Sequence, residues 1–458
     1  MKTSLRLFLI ILAISLCSQT TVAQDTVSIS WDEFLKRGLD VAAELDAERQ
    51  KIRLAENRVE EAQNKRWLPK LQLTTNHGLV PGVNSDSSRS KMYLDPSLEN
   101  DWSDWSIFTQ LELRALQPIY TWGALDTAVA AAREGAEVAS HRYEKKEDEY
   151  ELRLFRLYQS RILAIEMQRL LEEAEKTIQK AEKKIAEMQK SGDSDLDQSE
   201  VYKFDIYKYQ FFSRAEEARA STDFVERAWH LAMGSQQEQR YMPEAQFLDP
   251  LMNGLDELPY YQQRAAKERP EVKAISSAEQ AAKHGYEARK AERWPILYLG
   301  LGGEFVNRPR PVSDQPLFGN RFTYANVIYS FGFRQNLDFG SVRNDIEKNY
   351  YKYQQARHSH DAIQQGVVLE VNEQYKNVMT QLAKKNNNQK ALQKSKEWLR
   401  QEEIDFDLGL GDIKVLIDAV RTNLEIRASY IESLYKYNMA LAKLYQKAGL
   451  PLKNLKMK

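Results

Sequence analysis

From Ala164 to Met188, apolar residues recur at alternating spacings of three and four, through Met167, Leu171, Ala174, Ile178, Ala181 and Ile185, with Glu, Lys, Arg and Gln between them. This alternation is a coiled-coil seam, and the alanines allow a neighbouring helix to approach closely. No proline occurs between Trp122 and Lys190, so the pattern predicts one helix of about 65 residues, roughly 100 Å long at 1.5 Å per residue. A second seam runs through Ile417, Val420, Leu424, Ile431, Leu434, Leu441, Tyr445 and Ala448, broken by Arg427 and Asn438. Polar residues on a seam set register or face water.

Elsewhere the period drops to two. Ile107, Thr109, Leu111, Leu113 and Ala115 alternate with Phe108, Gln110, Glu112 and Arg114, which reads as a strand with one apolar face. Leu71 and Leu73 after Pro69 mark its partner, across a loop rich in Ser, Asp and Asn. The pattern returns later, with Val327, Tyr329, Phe331 and Phe333 on one face. Four strands are predicted, at about 68–77, 105–117, 295–305 and 322–335, arranged as two hairpins.

These elements form an internal repeat. Pro69 corresponds to Pro295, Gln117 to Gln335 and Gly234 to Gly449, at offsets of 226, 218 and 215. Each half reads helix, hairpin, long helix, turn, long helix. The expected organisation is a first repeat over 24–233, a linker over 234–257 containing Pro243, Pro250 and Gly254, a second repeat over 258–450 and a polar tail over 451–458.

Lys2 and Arg6 precede the apolar run Leu7 to Leu16, and Thr21-Val22-Ala23 supplies a peptidase site, so residues 1–23 read as a cleaved secretory signal. The alternative of a membrane anchor fails on length, because ten residues do not cross about 30 Å of hydrocarbon. Lipidation at Cys17 is disfavoured by the bulky Leu16. The mature chain would keep 63 cations against 66 anions and no cysteine. That excludes disulfides and thiolate metal sites, and the charge balance argues against nucleic acid as a partner. No later stretch of about 18 apolar residues occurs, leaving a chain that is soluble after export or a membrane β-barrel.

Two hairpins with apolar faces would leave four open edges, and edges do not face lipid. Four strands cannot close a barrel, since the smallest membrane barrels have eight; three copies would supply twelve. Trp67, Trp102, Trp105, Trp122 and Trp294, five of the eight tryptophans, flank the strands where an interfacial girdle would sit. A soluble β-domain core accounts for the tryptophans equally well.

No catalytic constellation emerges. His358 and His360 are two apart on a helix and point nearly opposite ways, so they do not share a metal. Gly302-Gly303-Glu304-Phe305 resembles part of a nucleotide-cyclase signature but lies in an exported strand. Phosphate-binding, zinc-protease and nucleophile-elbow motifs are absent. No enzyme activity, cofactor or metal is expected.

Taken in order, Arg269-Pro270-Glu271-Val272, the alanines 278, 288 and 291, Trp294-Pro295, the sequence Gly409-Leu410-Gly411-Asp412 followed by Asp418-Ala419, and the closing Asn438, Ala440, Leu441, Leu444 and Gly449 resemble the TolC-like outer-membrane efflux protein family. The resemblance covers nearly the whole mature chain. Departures are Ala43-Glu44-Leu45, where an Asn-Pro often follows the N-terminal helix, and Asn336, where a proline is usual. The resemblance implies a mainly α fold with a membrane β-barrel: a homotrimer with a 12-stranded barrel in the outer membrane, continued by an α-helical tunnel through the periplasm. It implies a passive conduit served by a periplasmic adaptor and an inner-membrane pump of a tripartite efflux or type I secretion system. The turns at Gly192-Asp193 and at Leu408, Gly409, Leu410 and Gly411 would dock those partners. Asp418 and Asp412 would be pore-constriction candidates; Asp412 reads equally as a helix N-cap, and Asp418 as a solvated helix position. The alternative from another class is a soluble periplasmic coiled-coil adaptor.

Overall fold

The computed structural model describes residues 27–84, 99–191, 198–234, 241–252, 254–307, 324–408, 411 and 413–455. The signal segment and Gly192, Asp193, Gly409, Leu410 and Asp412 lie outside the described residues. In chain order the elements are β1 (Val27–Ile29), α1 (Trp31–Asp40), α2 (Ala43–Trp67), β2 (Lys70–Asn84), β3 (Glu99–Tyr120), α3 (Ala124–Ser191) and α4 (Gln198–Ala232). Then follow β4 (Tyr241–Pro243), α5 (Leu258–Glu268), α6 (Pro270–Ala291), β5 (Ile296–Asn307), β6 (Tyr324–Arg334), α7 (Phe339–Asp407), α8 (Ile413–Lys447) and a 3-10 turn at Leu452–Asn454.

The chain packs as two compact units. The first comprises Met1–Ala47, Glu144–Arg269 and Gln365–Lys458, the second Glu48–Tyr143 and Pro270–Gln364. Helices α3 and α7, of 68 and 69 residues, contribute to both. The two predicted seams lie on α3 and α8 and behave as the heptad spacing dictates: in the first unit Ala174, Ile178 and Ile185 of α3 and Ile431, Leu434 and Leu441 of α8 are buried. The first unit is anchored by an aromatic cluster in which Phe34 stacks on Trp229 at 4.2 Å and Trp31 meets Phe155 edge-on at 5.4 Å. Ser30 caps α1, its Oγ accepting from the Glu33 amide at 3.3 Å, and β1 runs parallel to β4. The interruption of the α8 seam at Asn438 has a structural cause. Its fully buried amide donates to Gln159 Oε1 at 3.2 Å and to the Asp249 carbonyl at 2.9 Å, and its oxygen accepts from the Leu251 amide at 3.3 Å. It thereby ties the linker region to the helices.

Arg269, buried ahead of α6, pairs with Glu370 at 2.9 Å, and Lys447 pairs with the same carboxylate at 2.8 Å. Burial opposes ionisation of Glu370, but the hydrogen bond from Lys447 and the charge of Arg269 outweigh it and hold its carboxyl below the ordinary range. Beside this clamp Gly449 closes α8 at φ +67°, where a Cβ would meet the Arg269 amide nitrogen at 3.0 Å. Only glycine suits both the turn and the approach.

In the second unit the two hairpins join into one antiparallel sheet of order β2-β3-β5-β6. The sheet therefore leaves two open edges, not the four expected of separate hairpins, because Thr109 to Tyr120 of β3 pairs with β5. Strand β3 also extends to Glu99, into residues read as loop: past a bulge at Pro81/Gly82, Gly82–Asn84 pair with Glu99–Asp101. Backbone pairing carries this part of the ladder, so its polar side chains gave no period-two signal. At the end of the sheet Asn336, standing where a proline was expected, makes the bend with its side chain: its Oδ1 accepts from the Asp338 amide at 3.0 Å, and Asp338 in turn accepts from Ser341 at the start of α7.

Candidate functional site

Pairing register assigns the two faces of the sheet. Leu71 lies opposite Ala115, Leu73 opposite Leu113 and Leu79 opposite Ile107; Ala115 pairs with Leu301 and Leu111 with Phe305; Leu301 pairs with Tyr329 and Leu299 with Phe331. These residues share one face. On it Leu71, Leu73, Leu79, Ile107, Leu113, Leu299, Leu301, Phe305, Val327, Tyr329, Phe331 and Phe333 are all exposed, Tyr329 to 81%. The opposite face carries Gln72, Thr74, Asn76, Gln110, Glu112, Arg114, Glu304, Asn326 and Ser330, with Gln110 Nε2 donating to Glu304 at 2.8 Å. Leaving twelve large apolar side chains in water would forfeit on the order of 20 kcal/mol. The face needs an apolar surrounding.

The tryptophans border this face at both ends. Trp102 and Trp105 lie 5.8 Å apart at the far end of β3, the Trp105 indole donating to the Trp102 carbonyl. At the helix end Trp122 contacts Trp294 at 5.5 Å and donates to the Pro295 carbonyl at 2.9 Å, while Trp67 is 69% exposed. Trp122 is held at φ 54°, a left-handed conformation that a bulky residue adopts at a cost. From Ile107 to Gln117 the strand rises about 33 Å, or about 25 Å at a tilt near 40°, the height of an outer-membrane apolar band.

Within the first unit, α3, α4, α7 and α8 converge near Ser191 and Leu408. Ile178, Ile185 and Phe204 form a core against Ile413 and Ile417, beside an apolar cavity of about 160 Å³ that also touches Ala181 and Phe406. The Lys184 ammonium sits 3.8 Å above the Phe406 ring. The chain then doubles back: the Gly411 amide donates to the Asp405 carbonyl at 2.9 Å, and a Cβ at 411 would lie 2.7 Å from the Phe406 nitrogen. Leu408 is 68% exposed. Asp418 is exposed on α8 and lines a cleft of about 300 Å³ with Lys203, Tyr207, Lys414 and Arg421. That Lys203 shares this cleft was not anticipated, because it belongs to α4 and reaches the cleft only by tertiary packing. Of the two histidines singled out by spacing, His360 places its Nδ1 2.7 Å from Glu279 on α6. Among the described residues no group of three or more His, Cys, Asp or Glu could hold a metal, and no helix is long and apolar enough to cross a membrane.

Residues 262–450 match the family model described as outer membrane efflux protein. The chain carries an outer membrane efflux protein domain. The second half of the chain is thus similar to outer membrane efflux proteins. No curated protein matches this chain in sequence. Its fold is similar to that of the Campylobacter jejuni CmeC outer membrane channel, with a TM-score of 0.72, 12% identity and coverage of 92% of this chain and 85% of that one. The open state of the Neisseria gonorrhoeae MtrE outer membrane channel gives 0.71, 14%, 93% and 91%. The outer-membrane channel OprN gives 0.71, 13%, 92% and 90%. At such identities the agreement is one of fold.

Proposed function

We propose that three copies of this chain close into a 12-stranded outer-membrane barrel, the β6 edge of one copy pairing with the β2 edge of the next, and that the long helices line a periplasmic tunnel below it. The observation that carries this reading is the four-stranded sheet with two open edges, one face apolar and exposed and the other polar. Open edges are not tolerated in hydrocarbon, and only closure with further copies satisfies them. The conduit is passive, and substrates are delivered by an inner-membrane pump through a periplasmic adaptor. The helix-hairpin ends around Gly192-Asp193 and Leu408 to Gly411 are the proposed docking positions. Asp418 from three copies is the proposed constriction, with Asp412 the second candidate; Lys414 and Arg421 beside Asp418 would temper the field of the ring.

Single-channel recording of detergent-extracted protein in planar bilayers, with mass determined in parallel, tests the reading. Stable openings from a species of three chain masses are expected. A monomeric, water-soluble protein without openings would overturn it and restore the soluble-adaptor reading.

A further inference from the structure

We propose that the helix end of the sheet is a binding belt for anionic phospholipid headgroups. The inference rests on the membrane reading above and names the lipid class that reading leaves open. Both hairpins begin with the same arrangement, Arg66-Trp67-Leu68-Pro69 and Arg293-Trp294-Pro295. In both, the arginine lies over the ring of the tryptophan that follows it, at 4.6 Å for Arg66 and 5.4 Å for Arg293. A guanidinium resting on an indole keeps its N–H edge available to an oxyanion while the ring lies in the interfacial zone.

The charge is concentrated there. Residues 64–70 and 289–295 hold six cations, Lys65, Arg66, Lys70, Arg289, Lys290 and Arg293, and the anion Glu292, in a chain whose formal net charge is −1; Lys65 is paired with Glu61 at 2.6 Å. Glu292 is engaged by Arg289 at 2.8 Å. Arg66 has an acidic neighbour, Asp126, at 2.5 Å, whereas Arg293 has no carboxylate within ion-pair distance among the described residues and lies exposed beside Trp294. The opposite end has the reverse sign: residues 99–106 contain Glu99, Asp101 and Asp104 around Trp102 and Trp105, and no Lys or Arg. The belt adjoins the exposed apolar face directly, so a lipid whose chains cover Leu71 or Leu299 presents its headgroup at Arg66 or Arg293. Charge complementarity selects a phosphate-bearing anionic headgroup over a zwitterionic one.

The test uses full-length protein reconstituted in nanodiscs of phosphatidylethanolamine with one quarter phosphatidylglycerol, released and weighed with its retained lipids by native mass spectrometry. The wild type is expected to retain phosphatidylglycerol above its bulk share, by roughly five-fold per arginine engaged. R293Q is expected to lower the enrichment, R66Q/R293Q to bring it near the bulk ratio, and R66K/R293K to keep most of it. No enrichment in the wild type, or enrichment unchanged in both glutamine variants, overturns the belt while leaving an embedded channel intact. Failure to enter the bilayer at all overturns the membrane reading and the belt together.

Discussion

At the level of single residues, the polar exceptions in apolar patterns carry the most information. Asn438 breaks a heptad seam yet is fully buried and makes three hydrogen bonds. Asn438→Ala strands several buried partners, which cost about 1–3 kcal/mol each. A loss of about 3 kcal/mol is expected, seen as a lower apparent melting temperature of the extracted protein; an unchanged value would mean the linker holds without this tie. Glu370 makes a pH-dependent contribution. Its folded pKa lies below the ordinary value of 4.5, so the clamp with Arg269 and Lys447 contributes fully above that value and fades as pH falls through the lowered one. Melting curves of the wild type should decline across that acidic window, and those of Glu370→Gln should decline less. At Asp418 the proposed constriction predicts that Asp418→Ala raises conductance and reduces cation preference in single-channel records. Identical records would return Asp418 to an ordinary solvated helix position.

At the level of elements, the sheet makes a two-sided prediction from adjacent residues. Tyr329 belongs to the apolar face and Ile328 to the polar face, although both are apolar and both are exposed. A lysine on the lipid side near mid-height costs about 2–4 kcal/mol, whereas one on the lumen side is tolerated. Tyr329→Lys should therefore sharply reduce the heat-modifiable, membrane-embedded fraction on unheated gels, and Ile328→Lys should leave it near wild type. Equal effects would mean that the two faces have been assigned wrongly. Ile328 also shows why hydrophobicity alone does not orient a strand: its face follows from the register Gly302–Ile328, not from its side chain. The helices were the most legible elements, since seams repeated over many turns leave little freedom of phase. The polar start of β3, the short β1/β4 pair and the separation of α1 from α2 were not, because each depends on backbone pairing or on packing against distant residues.

At the level of the whole molecule, the two free edges are what a single chain cannot resolve. If copies close them, the assembly is held without covalent links, because the chain's one cysteine is Cys17, within the expected signal. Unheated electrophoresis should thus show a three-chain species that reductant leaves unchanged and boiling converts to monomer. A species that reductant dissociates would contradict the model of paired edges. The candidate tip residues divide in the same way. Leu408, Gly411 and Asp418 could be named from turn chemistry and from the resemblance, but the surroundings of Asp418 could not, since Lys203 lies more than 200 residues away in sequence.

The sequence by itself determined the long helices and the positions of the four strands. Each is set by local periodicity or short motifs, which a chain carries regardless of its partners. Only the tertiary structure decided that the two hairpins form one sheet, that its twelve large apolar side chains share one exposed face, and that cations gather at one end of it. Those facts depend on strand register and on contacts between residues some 200 positions apart, and no local pattern encodes which strand becomes the neighbour of which.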